Sequence, residues 1–439
     1  MDFNTRYAKL NDNQRQAVDY IHGSLLVIAG PGTGKTELLS MRTAQILKQT
    51  DTLPNSILCL TFTESGATNM RQRLRQIIGE DAYKIAIHTF HSFGTEIINQ
   101  HREYFFRGAD AQPVDELTQY QIISGILEGL DWRNPLSAKN NGEFVYIKEL
   151  IRIISEFKQS GLTPLELRAI IEDNQTTIAE IAPDIQQVFS AKISKKTIEM
   201  FAPIAEKIAN LAAKNPDEKN SKLPASITPY ANVLALSIVH ATQEAIDENS
   251  TKPLTAWKNK WCEKNANGEF VLKDFTAAEK LSAAIDVYEK YVNILSERSL
   301  FDYDDMILSV IQACESHPEL RANLQEQFQF IMVDEFQDTN LAQLRLLFNL
   351  TSENDDNPNI MAVGDDDQAI FSFQGADVGN IQRFRQHYHD PKIIVLTDNY
   401  RSAENILSSA RDVITQGADR LENTIDGLSK QLTAHANSE

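Results

Sequence analysis

A glycine-rich segment near the amino terminus has the residue types and spacing of a phosphate-binding loop. The sequence AGPGTGKT follows the apolar run LLVIA and precedes a segment with helical spacing. Glycines let backbone N–H groups approach anionic oxygens, while Lys35 would contact the β- and γ-phosphates and the Thr36 hydroxyl would ligate Mg²⁺. The strict GxxxxGK(S/T) pattern fails at its first position, but ATP or GTP binding is favoured over a glycine-rich turn without a ligand. The expected nucleotide-binding residues are Ala29, Gly30, Pro31, Gly32, Thr33, Gly34, Lys35 and Thr36.

A pair of carboxylates far downstream supplies the second part of a nucleotide-hydrolysing site. Asp334 and Glu335 directly follow the apolar run FQFIMV, which is typical of a buried strand. Asp334 would hold Mg²⁺, and Glu335 would orient and deprotonate the attacking water. Such a pair at a strand end is by itself often a solvated turn, but the upstream phosphate loop favours the catalytic interpretation.

The elements around these motifs alternate between strand-like and helix-like patterns, which predicts an α/β fold of the P-loop NTPase type with a parallel sheet. The strand-like runs lie at residues 25–29, 56–62, 84–90, 328–333, 359–363 and 392–396. Between about residues 96 and 300 these runs disappear and apolar residues recur at helical spacing, which predicts a large inserted, all-helical domain. After TDNYRS at 397–402 the pattern predicts helix and no further sheet element.

Size and composition are those of a soluble protein of several domains. A prior of roughly 150 residues per domain gives about two to four domains for this chain. The net charge of −19 argues against tight, non-specific duplex binding but is compatible with a local groove for a single strand. Cys59, Cys262 and Cys314 are widely spaced, which favours buried thiols over a zinc site or disulfides. Without a signal peptide or about 18 consecutive apolar residues, we expect a cytoplasmic protein with no membrane partner.

Seven segments resemble, in order, the signatures of the UvrD/Rep/PcrA group of superfamily 1 DNA helicases. They are LNDNQRQAV at 10–18, AGPGTGKT at 29–36, LTFTESGATNM at 60–70, HTFHS at 88–92, VDEFQDT at 333–339, VGDDDQAIFSFQGA at 363–376 and NYRS at 399–402. The helical region matches by position only. The resemblance implies a RecA-like motor domain 1A at 1–95 and 299–390, a helical domain 1B at 96–298, and the start of motor domain 2A at 391–439.

The resemblance also implies roles for four residues beyond the loop and the carboxylate pair. Gln14 would read the adenine edge through two side-chain hydrogen bonds, and Tyr400 would stack on the adenine. Gln368 would sense the γ-phosphate, and Arg401 would contact the same phosphate and stabilise its charge during transfer. Each of these roles depends on position, because a lone glutamine or an NYR tripeptide is uninformative.

Single-stranded DNA is the partner that the resemblance implies, held by bases stacking on aromatic side chains. The candidates are Phe62, His91, Phe371 and Phe373, of which Phe62 and Phe373 are preferred. The hydroxyls of Thr61 and Thr89 are candidate phosphate contacts. Each aromatic residue is alternatively a core residue, which is the usual place for phenylalanine at a strand end.

Three departures from the group's pattern bear on function. Phe373 and Gln374 stand where the group usually has tryptophan and arginine, so one cationic contact is missing. Glu37 stands where an arginine commonly flanks the adenine. Nothing after residue 402 resembles the later motifs, including the second arginine that completes the ATP site, and such an arginine contributes on the order of 10³ to 10⁵ in rate. We therefore expect an N-terminal fragment with weak hydrolysis.

The leading hypothesis is an ATP- and Mg²⁺-dependent DNA helicase that translocates 3′ to 5′ on single-stranded DNA and acts at single-strand/duplex junctions in repair or replication. One alternative is the motor part of a helicase-nuclease of the AddA or RecB kind, which would require a nuclease domain. Another alternative is a nucleotide-gated DNA-binding module with little hydrolysis, as a missing second arginine would produce.

Overall fold

The computed structural model of the chain describes residues 3–105, 111–189, 193–195, 198, 201–214, 227, 229–273, 279–351, 357–369, 379–389, 391–417, 420–425 and 427–435. The chain forms two compact units. The first contains residues 1–113, 158–161 and 299–439, and the second contains residues 114–157 and 162–298.

The strands fall into one large sheet and several two-stranded pairs. They are β1 (Leu25–Ala29), β2 (Ile57–Thr61), β3 (Ala86–Thr89), β4 (Gln112–Pro113), β5 (Lys139–Asn140), β6 (Glu143–Phe144), β7 (Cys262–Lys264), β8 (Phe270–Leu272), β9 (Leu300–Phe301), β10 (Phe330–Val333), β11 (Ile360–Gly364), β12 (Lys392–Leu396), β13 (Asp398–Asn399) and β14 (Thr433–Ala434).

The helices contain most of the described residues. They are α1 (Phe3–Tyr7), α2 (Asp12–Asp19), α3 (Lys35–Gln49), α4 (Glu64–Ile78), α5 (Phe90–Gln100), α6 (Glu116–Glu128), α7 (Ile147–Gln159), α8 (Pro164–Phe189), α9 (Ala202–Lys214), α10 (Tyr230–Asp247), α11 (Lys252–Trp261), α12 (Glu279–Glu297), α13 (Asp305–Ser316), α14 (Pro318–Gln327), α15 (Leu341–Leu350), α16 (Gly379–His387), α17 (Glu404–Ile414) and α18 (Leu421–Thr424).

The first unit is built on a six-stranded parallel sheet with the strand order β12-β1-β11-β10-β2-β3. Strands β1, β2, β10 and β11 are buried along their whole length, as expected for parallel strands that are covered on both faces. Alternate residues serve opposite faces. Leu26 and Ile28 of β1 pack in one core with α5, α13 and α15, whereas Leu25 and Val27 pack in the other with α2, α3 and α4.

Local sequence explains where many of these helices begin. The residue before the first helical turn is often one whose side-chain oxygen accepts a hydrogen bond from a backbone N–H in that turn, which stabilises the helix terminus. This arrangement occurs at Asn11 for α2, Thr63 for α4, Thr89 for α5, Asp115 for α6 and Asn340 for α15.

The second unit is mainly helical. Its described residues form helices from α6 to α12, with the two-stranded antiparallel pairs β5-β6 and β7-β8 as its sheet elements. Its core combines aliphatic side chains of α8 and α10, such as Ile181, Leu234 and Ile238, with the indole of Trp257 from α11. The amphipathic spacing read from the sequence therefore corresponds to helices that bury one apolar face.

The predicted α/β fold with a parallel sheet is confirmed. Strand β12, which lies beyond the domain boundary expected at residue 390, is the edge strand of this same sheet and pairs with β1. The expectation of no sheet element after residue 402 is wrong, because β14 pairs in parallel with β13. Two-residue strands carry no periodic signal, so the sequence pattern could not reveal this pair.

Two further findings concern burial. All three cysteines are buried, as expected, and burial raises the pKa of each thiol to about 12. Among the described residues, no helix is both long enough and apolar enough to cross a membrane.

Candidate nucleotide-binding and hydrolysis site

The phosphate loop and the two acidic segments of the predicted site lie at one edge of the large sheet. In a parallel sheet the carboxyl ends of all strands lie at the same edge, which is where ligands bind in open α/β folds. The phosphate loop follows β1, the GDDDQ segment follows β11, and the DEFQD segment follows β10. Because these three strands are neighbours in the order β1-β11-β10, the segments that follow them are adjacent.

The phosphate loop has the backbone conformation that its glycines predict. Gly32 and Gly34 have φ values of +71° and +88°, which is the left-handed region that glycine adopts without strain. A Cβ atom at Gly32 would also lie 2.7 Å from the Arg401 Cβ and from the Asn399 Nδ2. Gly34 is the N-cap of α3 and provides no side-chain cap, so the N–H groups of the first turn face the loop and form an anion-binding site.

Lys35 contacts both of the other segments. Its Nζ lies 2.5 Å from the Glu335 Oε2 and 3.5 Å from the Gln368 Oε1. Gln337 donates a hydrogen bond of 3.0 Å to the same Glu335 oxygen. Glu335 has a φ of +49°, a left-handed conformation that is strained for a side chain with a Cβ. Strained backbone of this kind clusters at functional sites.

Asp334 is a buried carboxylate beside this pair. Its backbone N–H donates to the Leu60 carbonyl at 2.8 Å, and its Oδ1 accepts from the Glu335 N–H at 3.0 Å. Burial and the negative charge of Glu335 raise the pKa of Asp334 to about 6, although Lys35 opposes this shift. Burial and Glu335 likewise raise the pKa of Asp338 to about 6. The site therefore concentrates negative charge that a bound cation would neutralise.

The residues present fit a magnesium ion that is shared with a nucleotide. Mg²⁺ prefers oxygen ligands and usually binds one or two carboxylates together with substrate phosphates. The Thr36 hydroxyl and the Asp334 carboxylate supply such oxygens. In the part of the chain that the structure describes, no group of three or more His, Cys, Asp or Glu residues could hold a metal ion by itself. The donor set therefore matches a metal site that the phosphates would complete.

The raised pKa of Asp334 predicts a stability cost in the ligand-free protein. An Asp whose pKa rises from 3.8 to about 6 on folding destabilises the native state as pH increases through that interval, and the full cost is present above about pH 6. We expect Asp334→Asn to raise the free energy of unfolding at pH 7.5 by about 1–3 kcal/mol. The gain should decrease as pH falls toward 4. Urea unfolding across this pH range measures it, and equal destabilisation at all pH values would contradict the prediction.

Tyr400 and Arg401, the predicted adenine and γ-phosphate contacts, lie next to the phosphate loop. Tyr400 donates its backbone N–H to the Gly32 carbonyl at 3.0 Å, and its phenol oxygen accepts from the Asn11 Nδ2 at 3.1 Å. Its half-exposed ring stacks against His435 with centroids 5.3 Å apart. Arg401 is exposed, and within the described part of the chain its guanidinium makes no ion pair. Contacts of Arg401 and Tyr400 with a nucleotide stay predictions.

Gln14 is buried and already makes two hydrogen bonds. Its Oε1 accepts from the Asn11 N–H at 3.1 Å, and its Nε2 donates to the Thr33 carbonyl at 2.9 Å. The first bond is half of a capping box that stabilises the start of α2. The second ties α2 to the phosphate loop. Adenine recognition by Gln14 stays a prediction, and it would use the remaining N–H and lone pair.

Glu37, which replaces the expected arginine, is neutralised by two cations. Arg6 contacts it at 2.9 and 3.1 Å, and Arg73 contacts it at 3.0 Å. Arg6 comes from α1 and Arg73 from α4, so this half-buried network joins three helices next to the loop. The carboxylate at position 37 is thus paired with cations of the same unit, and no arginine replaces the one that is expected beside the adenine at this position.

The candidate DNA-binding residues follow β2 and β3 at the same sheet edge. Phe62 is half-buried, while Thr61 and Thr89 are buried. The Thr89 hydroxyl accepts from the Ser92 N–H and lies 2.9 Å from the Glu64 carboxylate, so it serves mainly to cap α5. Because the side chains of Thr61 and Thr89 are buried, their exposure does not support contacts with DNA phosphates, and these contacts stay predictions. Phe371 and Phe373 lie outside the described residues.

His91 forms an aromatic pair that the sequence did not reveal. Its ring stacks on Tyr303 with centroids 4.2 Å apart and an interplanar angle of 29°. Burial lowers the pKa of His91 to about 4, so the imidazole is neutral at pH 7 and acts as an aromatic surface. Tyr303 is 65% exposed, so its ring is accessible from solvent. Its position directly after β9 was a possible signal, but no periodic pattern links it to His91.

Comparisons with known proteins agree with this geometry. The family model for the UvrD/REP helicase N-terminal domain matches residues 10–217 and 179–389. ATP-dependent DNA helicase PcrA of Staphylococcus epidermidis RP62A is 27% identical over 419 residues, which is 95% of this chain and 41% of that relative. PcrA of Staphylococcus aureus Mu50 is 27% identical over 411 residues, 94% of this chain and 40% of that relative. The chain thus spans about two fifths of the length of these curated relatives. Because the matched segments extend over most of its length, the chain belongs to the UvrD/REP helicase N-terminal domain family.

Proposed function

We propose that this chain is the ATP-hydrolysing portion of a DNA helicase that translocates 3′ to 5′ along single-stranded DNA in repair or replication. The observation that carries the proposal is the contact of Lys35 with both Glu335 and Gln368. This lysine follows a glycine-rich loop and contacts a carboxylate and an amide that follow two neighbouring strands. Together these groups are the ones that nucleotide hydrolysis requires. The names of the PcrA relatives support the same activity.

The domain assignment is part of this proposal. We assign residues 1–95 and 299–390 to a RecA-like motor domain 1A, residues 96–298 to an inserted helical domain 1B, and residues 391–439 to the start of domain 2A. The parallel sheet and the mainly helical second unit support the first two assignments. The pairing of β12 with β1 suggests that the sheet of domain 1A extends past residue 390.

ATP binding would rearrange the charges of the site. The loop N–H groups would hold the β-phosphate, and Lys35 would exchange its contact with Glu335 for the β- and γ-phosphates. Gln337 would keep hold of Glu335, which would then be free to orient a water molecule and accept its proton. Bound Mg²⁺, held by Thr36 and Asp334, would neutralise the phosphate charge. Arg401 would add a further positive charge at the γ-phosphate.

The proposed DNA-binding surface combines Phe62 with the pair formed by His91 and Tyr303. Phe62 follows β2 and His91 follows β3, and both strands belong to the sheet that carries the nucleotide site. A nucleotide-dependent movement of the segments after these strands would therefore change the contact with DNA. A neutral, stacked aromatic pair suits binding of any base, because every base has a π face. The acidic net charge is compatible with such a local, largely uncharged grip.

Replacement of the exposed tyrosine tests this surface. We expect Tyr303→Ala to weaken binding of a fluorescent oligo(dT) by about 5- to 150-fold, the loss of one stacked base. Tyr303→Phe should retain binding, since the ring alone provides the stacking. The matched control is Tyr83→Ala, because Tyr83 is also exposed but lies beside Arg75 on another part of the unit. Anisotropy titration measures affinity, and equal effects of the Tyr303 and Tyr83 variants would refute the assignment.

The overall proposal is tested with the 439-residue chain and radiolabelled ATP. Single-turnover hydrolysis should require Mg²⁺ and should accelerate when oligo(dT) is added. Because weak hydrolysis is expected of this chain, unwinding should be slow, and it should start from a 3′ rather than a 5′ single-stranded tail of the duplex. Nucleotide binding without turnover would contradict the proposal and favour a nucleotide-gated binding module.

A further inference from the structure

The segment of residues 427–435 packs beside the nucleotide site. Strand β14 pairs in parallel with β13, immediately before Tyr400. The Leu432 side chain lies so close to the phosphate loop that a Cβ atom at Gly30 would be 3.0 Å from its Cδ2. His435 stacks on Tyr400. A stretch of chain in which the sequence showed no motif thus contacts the loop and its neighbour.

Lys430 anchors this segment to the acidic residues that follow β11. Its Nζ lies 2.7 Å from the Asp365 carboxylate, 2.6 Å from that of Asp366 and 2.7 Å from that of Asp367. The lysine is only 7% exposed. Burial lowers the pKa of Lys430, but the three carboxylates outweigh burial and raise it overall, so the ammonium group stays charged. Such a buried cation compensates charges that would otherwise repel one another.

Of these carboxylates, Asp365 connects Lys430 to the nucleotide site. Its Oδ1 contacts Lys430, while its Oδ2 accepts a hydrogen bond of 2.7 Å from the Gln368 Nε2. The Asp365 N–H also donates to the Gln337 Oε1 at 3.0 Å, and Gln337 in turn donates to Glu335. Asp365 is therefore bonded, through one intermediate residue each, to Lys35 and to Glu335.

Asp367 differs from Asp365 in its cations and in its lack of a link to Gln368. Arg420 forms a two-pronged ion pair with it, at 2.8 and 2.7 Å, so Asp367 has a second cation. No hydrogen bond links its carboxylate to Gln368 among the described residues. The same cluster thus contains one carboxylate that leads to the nucleotide site and one that does not.

We propose that Lys430 is a positioning residue of the nucleotide site, which through Asp365 holds Gln368 toward the phosphate loop and so sets the discrimination between ATP and ADP. The inference rests on the proposed function, in which Gln368 senses the γ-phosphate. Without Lys430, the Asp365 carboxylate would be buried without its cation and would move toward water or toward Lys35. Gln368 would then lose the partner that orients its amide.

The experiment measures dissociation constants for MgATP and MgADP by equilibrium binding to the full chain. In the unchanged protein MgATP should bind more tightly. Lys430→Met should reduce the ratio of the two constants by about tenfold, mainly by weakening MgATP binding. Gln368→Ala should have the same effect, and the double variant should lose no more than either single variant, because both disrupt one connected unit.

Three further variants separate positioning from a general structural role. Asp367→Asn weakens the same ion cluster and should lower the unfolding temperature without changing the ATP-to-ADP ratio. Lys392→Met, at a half-buried lysine over Tyr20, is the matched lysine control and should leave the ratio unchanged. Lys430→Gln removes the charge but keeps a hydrogen-bond donor, and it replaces the methionine variant if that variant does not fold.

Each outcome decides between the two proposals. A folded Lys430 variant with an unchanged ratio, or additive effects with Gln368→Ala, overturns the positioning role while the proposed function stands. If Asp367→Asn reduces the ratio of the two dissociation constants as much as Lys430→Met does, the positioning role is also overturned, because the effect would then follow from destabilisation of the ion cluster. If the unchanged protein binds MgATP and MgADP no better than Lys35→Ala does, the proposed function and the positioning role are both refuted.

Discussion

ATP hydrolysis is expected to fall by about 10²- to 10⁴-fold when Glu335 is replaced by glutamine, the contribution of a positioned general base. The amide has nearly the same shape, but it cannot accept the proton of the attacking water. Nucleotide binding should be unchanged or tighter, because Lys35 no longer has to leave an ion pair of 2.5 Å to reach the phosphates. Single-turnover hydrolysis and equilibrium binding measure the two effects separately.

The control for this substitution is Glu80→Gln. Glu80 is an exposed carboxylate beyond the end of α4 that faces Arg75 at 3.7 Å, and its replacement should change neither quantity. Normal turnover by Glu335→Gln would show that another group activates the water. Reduced turnover together with lost binding would instead indicate that Glu335 supports the fold of the loop.

Lys35→Ala should have the second large effect, on nucleotide binding itself. Hydrogen bonds to charged groups contribute about 1.5–3 kcal/mol each, so the loss of contacts with two phosphates should weaken ATP binding by roughly 10²- to 10⁴-fold. Binding of adenosine, which has no phosphate, should be unaffected. Titration with both compounds distinguishes lost phosphate recognition from a general defect of the site.

A matched lysine lies on the same helix. Lys48, in the last turn of α3, contacts Asn4 and the Phe3 ring far from the loop, so Lys48→Ala should bind ATP normally. The unfolding temperature of Lys35→Ala should fall, because Lys35 offsets the charges of the buried Asp334 and of Asp338 as well as that of the part-exposed Glu335. Thermal unfolding is therefore measured to show that the variant is folded at the temperature of the titration. ATP binding by Lys35→Ala at normal affinity would refute the assignment of the phosphate loop.

Acidic residues around Lys35 illustrate how charge, burial and function are balanced. Asp334 and Asp338 have pKa values raised to about 6, so the ligand-free protein holds carboxylates that burial disfavours. If the site binds Mg²⁺ and ATP as proposed, these carboxylates are expected to destabilise the protein while the cation is absent. The predicted stabilisation by Asp334→Asn follows from this relation and separates a binding site from a purely structural ion pair.

The candidate site was predictable where chemistry depends on a short contiguous segment. The AGPGTGKT loop and the DEFQDT segment each combine a buried strand with polar residues at its end, so residue type and spacing suffice to identify them. The parallel sheet was predictable for the same reason, since fully buried parallel strands appear as uninterrupted apolar runs.

Residues whose roles depend on contacts between distant parts of the chain could not be identified from the sequence. Gln337 looked like part of a motif, yet its side chain bridges Glu335 and the Asp365 backbone, which requires the close approach of β10 and β11. Tyr303 and His91 are separated by the whole second unit in the sequence and meet only through packing of α5 with α13. Lys430 lies in a segment without periodicity, where no local pattern predicts a buried lysine.

The sequence by itself determined which residue types are available at each strand end and that these strands are parallel, because both follow from local composition and spacing. Only the tertiary structure decided the strand order, and with it the contact of Lys35 with Glu335 and of Lys430 with Asp365. Strand order is fixed by the packing of whole elements against one another and by the entropy of closing long loops, neither of which is encoded in any short window of residues.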